Sequence, residues 1–227
     1  MKTIYMLSGP MKYKGFPEEI KELLLEDLTN KKNIVFFPTS PDNFEKNDKY
    51  VFGNDNINGI NNYLSEISSL KNVNIIDDRV SNEIAIGLIK NADILYLLGG
   101  NPFIQLEYLK KNKYDKLIKE FSGLIIGTSA GAMNLGKIAY YSKDEDYPIT
   151  CFYEGLGLVN ITVDPHFNIE DKEQIMEAIN NSYEHVIIGL PNDSGIRITS
   201  NKIQFINKCY SFKNGLQEEI NSKRKNK

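Results

Sequence analysis

The chain has 227 residues, 41% of them hydrophobic, with 13 Tyr and 11 Phe, so it can bury a sizeable core within one large α/β domain. A formal net charge of −3 offers no broad basic surface, which argues against nucleic acid and anionic membranes as partners. Two cysteines, Cys151 and Cys209, cannot make a disulfide framework, and no CxxC or Cys/His cluster suggests a metal.

In chain order, short apolar runs alternate with amphipathic helical patterns. Ile4-Tyr5-Met6-Leu7 reads as the first strand, with no signal-peptide core. Pro17, Glu18 and Glu19 open a helix carrying Ile20, Leu23 and Leu24. Ile34–Phe37 is a second strand, followed by a looser helical region reaching Leu70 and strongest around Ile60, Tyr63, Leu64 and Ile67. Val73–Ile76 is a third strand, and Ser81 caps a helix through Ile89. Asp93–Leu98 is a fourth strand ending in Gly99-Gly100-Asn101, and two short helices then lead to the apolar run Leu124-Ile125-Ile126. A further short strand, Asn160–Val163, precedes a helix starting near Asp171. Beyond residue 184 the pattern becomes hairpins, Val186–Leu190, Gly195–Thr199, Lys202–Ile206 and Cys209–Phe212, which are expected to finish the sheet.

Strand–helix alternation implies a mostly parallel sheet covered on both faces, with any ligand site outside the strand carboxyl ends. No repeat, linker or low-complexity block is present, so residues 1–227 are expected to form one domain. The tail from about residue 215 is expected to be helical or frayed, and Lys223-Arg224-Lys225 with Lys227 reads as solvated charge. No stretch has the apolar length that spans a bilayer, so the expected location is the cytoplasm.

The strand Leu124-Ile125-Ile126 runs directly into Gly127-Thr128-Ser129-Ala130-Gly131, a Gly-x-Ser-x-Gly sequence in the strand–turn–helix context of a nucleophile elbow. The flanking glycines suit a sharp reversal where a Cβ would clash. A serine nucleophile needs a base, and the chain has only two histidines. His166, in Val163-Asp164-Pro165-His166-Phe167, lies on a loop or strand end that projects it and is preferred. His185 follows a helical pattern and suits a helix C-terminus. The N–H groups of Ala130 and Gly100 are candidate oxyanion donors, with Gly99 and Asn101 beside the substrate, although Asn101 also fits as the cap of a helix beginning at Pro102.

Leu98-Gly99-Gly100-Asn101, Gly127-Thr128-Ser129-Ala130-Gly131-Ala132 and Asp164-Pro165-His166-Phe167 together resemble the peptidase E (S51) serine peptidases, a family that includes aspartyl dipeptidase and cyanophycinase. The resemblance covers approximately residues 1–206 and includes the 37-residue separation of Ser129 from His166. It implies a class I glutamine amidotransferase-like three-layer α/β sandwich, a small peptide or amide substrate, no cofactor or metal, and a monomer or homodimer. It also implies Ser129 as nucleophile, His166 as base, and Gly100 and Ala130 as the oxyanion hole. The family's third member, a glutamate, falls on Asn192, with Asp193 beside it and Asp144 and Asp146 as more remote candidates. The stretch after the histidine carries Lys172 and no arginine, so specificity for N-terminal aspartate is not expected.

Overall fold

The computed structural model describes residues 2–10, 14–54, 57–144 and 147–221. In chain order it begins β1 (Thr3–Leu7), α1 (Glu18–Leu28), β2 (Asn33–Phe37) and α2 (Phe44–Phe52). The paired two-residue strands β3 (Gly53–Asn54) and β4 (Ile57–Asn58) precede α3 (Ile60–Ser65), β5 (Asn72–Ile75), α4 (Asn82–Lys90) and β6 (Ile94–Leu97). Next come α5 (Pro102–Lys111), α6 (Tyr114–Glu120), β7 (Leu124–Thr128) and the short α7 (Ala130–Leu135). They are followed by β8 (Ile138–Tyr141), β9 (Cys151–Glu154), β10 (Thr162–Pro165) and α8 (Lys172–Asn181). The last described elements are β11 (Ile187–Leu190), β12 (Gly195–Ile198), β13 (Ile203–Ile206), β14 (Lys208–Lys213) and β15 (Leu216–Asn221).

Seven strands form one sheet in the order β13-β12-β1-β7-β6-β2-β5. The run from β1 to β5 is parallel, while β12 and β13 add antiparallel at one edge. Successive side chains of each strand enter opposite cores. Ile4, Met6, Val35, Leu95 and Ile125 pack with residues of α4, α5, α6 and α7 on one face. Tyr5, Leu7, Ile34, Phe36 and Ile126 pack with α1, α2 and α3 on the other. Burial on both faces explains why these strands read as continuous apolar runs rather than alternating ones. The result is a mixed α/β sandwich of three layers, as the alternation predicts.

Two features differ from the sequence reading. Only β12 and β13 extend the main sheet; β11 and β14 join β10 and β15 in a second, four-stranded sheet ordered β10-β11-β14-β15. Residues Leu216–Asn221, expected to be helical or frayed, instead form β15, paired with β14 over its length. Asn214 and Gly215 both adopt positive φ (50° and 78°), the geometry of a tight hairpin turn, and their N–H groups are tied to the end of α8 at Ser182. The Lys223-Arg224-Lys225 run lies outside the described residues. Among the described residues no helix is long and apolar enough to cross a membrane.

A partly buried charge pair joins β12, the strand between β1 and the edge strand β13, to α1. Arg197 donates from Nε and Nη2 to the Asp27 carboxylate at 2.6 and 2.7 Å, and the Tyr5 hydroxyl donates to the same carboxylate at 2.5 Å. Burial opposes ionisation of Asp27, but these donors hold its pKa below the usual carboxylate value. Asp27→Ala, by stranding a guanidinium whose side chain is only 17% exposed, is expected to cost about 3 kcal/mol in urea unfolding. A loss no larger than that of an exposed aspartate would show that the pair does not fasten the edge.

Candidate active site

Ser129 sits between β7 and α7 with φ 52° and ψ −117°, a conformation that L-residues seldom adopt. Its N–H donates to Leu7 O on the neighbouring strand at 2.9 Å, which fixes the turn against β1. The two glycines of the motif are required by space. A Cβ on Gly127 would meet Gly131 O at 2.6 Å, and one on Gly131 would meet Leu97 O of β6 at 2.2 Å. The elbow therefore presses its backbone against its own strand and against the next one.

His166 leaves the end of β10 with φ 59° and is exposed. Its Nε2 lies 2.9 Å from Ser129 Oγ and its Nδ1 lies 2.6 Å from Asn192 Oδ1. With the amide oxygen facing Nδ1, that nitrogen carries the proton, leaving Nε2 free to accept from the serine hydroxyl. The His166 N–H donates to Ser8 Oγ at 2.8 Å, and Ser8, fully buried at the end of β1, also stands 3.5 Å from Nδ1. Phe167 N–H donates to Leu190 O, which ties the residue after the histidine to β11.

The Gly99-Gly100 turn follows β6 on the same edge. Gly100 has φ 125°, and a Cβ there would collide with Thr39 Oγ1 at 2.1 Å. Thr39 Oγ1 in turn donates to Gly99 O at 2.9 Å. The buried Gln105 amide donates to Phe37 O and Leu98 O, and Asn134 of α7 donates to Gln105 Oε1 and Pro102 O. This network fixes the glycine turn relative to the elbow helix. Among the described residues the N–H groups of Gly100 and Ala130 donate to no protein acceptor. Asn101 spends its side-chain oxygen capping α5, accepting from Phe103 N and Ile104 N.

Other residues named from sequence lie elsewhere. Asp193 is next to Asn192, but no hydrogen bond links it to the ring; its carbonyl accepts from Asn207 Nδ2 at 2.7 Å. Asp144 accepts from the Tyr141 hydroxyl and Tyr147 N–H, and Asp146 lies outside the described residues. His185 packs edge-on against Phe152, with ring centroids 4.8 Å apart. Lys172 is the first residue of α8. Ser8, Thr39, Gln105 and Asn134 were not singled out by the sequence, because buried polar residues that hold backbone carry no spacing signature.

The profile of peptidase family S51 matches residues 4–206. The chain belongs to peptidase family S51. It is 35% identical over 108 residues to an uncharacterized peptidase of Listeria monocytogenes, covering 44% of this chain and 52% of that protein. A second uncharacterized peptidase, from Listeria innocua, is 36% identical over 105 residues, covering 43% and 50%. The chain thus spans about half the length of these relatives. Its fold is similar to that of a crystallised peptidase from an acI-B1 Actinobacterium, with TM-score 0.69, 17% identity, and 99% and 96% of the two chains covered. It is also similar to a candidate peptidase E protein of Listeria monocytogenes, with TM-score 0.64, 24% identity, and 90% and 98% covered.

In this S51 chain one further titratable group lies beside the site. Asp164, two residues before His166, is buried, and burial pushes its pKa up to about 7 despite hydrogen bonds from Ser142 and Gln174 that oppose the shift. Between the ordinary carboxylate value and about 7, the native state holds a proton that the unfolded chain has lost. Asp164 therefore favours the fold most at low pH, and its contribution falls as pH rises through that window, by about 1.4 kcal/mol per pH unit. Asp164→Asn is expected to remove this slope, so that its melting temperature exceeds wild type at pH 8 and approaches it at pH 4. A constant difference between the two melting curves from pH 4 to 8 would contradict a raised pKa.

Proposed function

We propose that the protein is a serine-type hydrolase that cleaves a small peptide or amide through an acyl-enzyme on Ser129. The observation that carries this reading is the continuous line from Ser129 Oγ through the His166 ring to Asn192, at 2.9 and 2.6 Å, on the carboxyl edge of a parallel sheet. Membership in a peptidase family and the peptidase relatives support the same class of reaction.

Ser129 Oγ attacks the substrate carbonyl carbon while its proton passes to His166 Nε2. The carbonyl π electrons move to oxygen, and the N–H groups of Gly100 and Ala130 receive that oxyanion. The tetrahedral adduct collapses, the C–N bond breaks, and the leaving amine takes the proton from Nε2. Water then attacks the ester carbonyl as it gives a proton to the same nitrogen, and collapse of the second adduct breaks the ester C–O bond while that proton passes from Nε2 back to Ser129 Oγ. Asn192 accepts from Nδ1–H and so keeps Nε2 as the acceptor. Being neutral, it offers no charge to the imidazolium that forms in each step. That neutrality also favours a second reading, a weakly active or inactive relative that binds a small ligand at the same edge. A fluorophosphonate probe separates the two: activity-dependent labelling of Ser129 belongs to the hydrolase, and inert protein to the binder.

Ser129→Ala is expected to lower kcat/KM on a dipeptide amide by at least about a thousandfold, measured by amine release. Turnover equal to wild type would end the serine mechanism. Asn192→Asp supplies the missing charge and is expected to raise kcat by roughly tenfold, equivalent to about 1.4 kcal/mol of transition-state stabilisation. A slower variant with an intact fold would contradict the role given to Asn192.

A further inference from the structure

α2 lies across the carboxyl ends of β2 and β5, held by an unusually polar anchor. Asn47 is buried and donates from Nδ2 to Ser40 O and to Asp77 Oδ2, both at 3.0 Å. Arg79 bridges the fully buried Asp77 to Asp48, with two contacts to Asp48 at 2.8 and 2.7 Å. Val51 packs into the core on the α1 side of the sheet. Tyr50 is three residues beyond Asn47 and so projects from the same side of the helix.

Gly99 shows where that ring ends. A methyl group placed on Gly99 would lie 3.2 Å from Ser129 Cβ and 3.3 Å from the Tyr50 hydroxyl oxygen. Gly99 is not among the positive-φ glycines, so its conformation leaves room for any residue. A side chain there would instead crowd the small space that Ser129 and Tyr50 share. The next backbone N–H along the chain is that of Gly100. Among the described residues the Tyr50 hydroxyl donates to no protein acceptor. The residue as a whole is 44% exposed, and desolvation around its hydroxyl raises its pKa, so the phenol keeps its proton as a donor.

We propose that Tyr50 is a further catalytic residue, whose hydroxyl donates a hydrogen bond to the substrate carbonyl oxygen as it becomes the oxyanion on Ser129. This rests on the serine-hydrolase reading above. Tyr50 is then a third donor beside the N–H groups of Gly100 and Ala130. No proton leaves the phenol; the serine proton goes to His166 Nε2 as before. A donor carried by a helix fixed through Asn47 and Asp48 needs little reorganisation when charge develops, which is what makes such donors effective.

Tyr50→Phe deletes only the hydroxyl of a partly exposed ring, so the fold is expected to survive with an unchanged melting temperature. Wild type, Tyr50→Phe and Ser129→Ala are compared in two assays, the rate of labelling by a fluorophosphonate and the turnover of a p-nitrophenyl ester. The expected result is a tenfold or greater slowing of labelling and of kcat in Tyr50→Phe, with KM within twofold of wild type and no labelling of Ser129→Ala. Rates within twofold of wild type, or a loss confined to KM, while Ser129→Ala is inert, would overturn the role of Tyr50 and leave the serine reading standing. Labelling that persists in Ser129→Ala would remove the serine reading and the role of Tyr50 with it.

Discussion

The site depends on the contact between the β7–α7 elbow and the adjoining strands. Gly131 rests so close to Leu97 O that a Cβ would approach it to 2.2 Å, and Gly127 is equally hemmed in by Gly131 O. The chain can reverse in that space only by turning sharply at residue 129, which accounts for a serine with φ 52°. The hydrogen bond from Ser129 N to Leu7 O holds the turn from the β1 side. A side chain so placed stands clear of the sheet edge without a loop to carry it, so its position is as rigid as the sheet.

His166 reaches Ser129 from a different sheet, and the junction between the sheets is where the geometry is set. The ring of Phe167 lies against Gly189 of β11, where a Cβ would come within 2.7 Å of the ring. Ser8 supplies the link across the junction. Its hydroxyl receives the His166 N–H, its own N–H donates to Ser194 O, and Ser194 closes the turn that presents Asn192. One buried serine at the end of β1 thus touches the segments that carry the histidine and its partner, next to the strand that ends in Ser129.

The central sheet was legible because buried parallel strands announce themselves as short β-branched runs between amphipathic helices. Ser129, Gly100 and His166 were legible because each sits in a local sequence whose chemistry is set by neighbours in the chain. The assignment of the later hairpins was not. The same alternation fits an added edge of the first sheet or a second sheet, and only packing against Tyr140, Phe167 and α8 separates the two. The last hairpin did carry a signal, Asn214-Gly215, which specifies a turn between strands and outweighs the polar character of the residues after it.

The sequence by itself determined the α/β layering, the elbow and the short list of residues able to do acid–base chemistry, because these follow from periodicity and from steric rules acting over a few residues. Tertiary structure decided which partner each of those residues meets. Asn192 rather than Asp193 accepts from the His166 ring, and Ser8 holds the histidine backbone. Tyr50 shares with Ser129 the space left open by Gly99. Such choices rest on distances of about an ångström between segments far apart in the chain, where a hydrogen bond is made or lost. No spacing along the sequence encodes them.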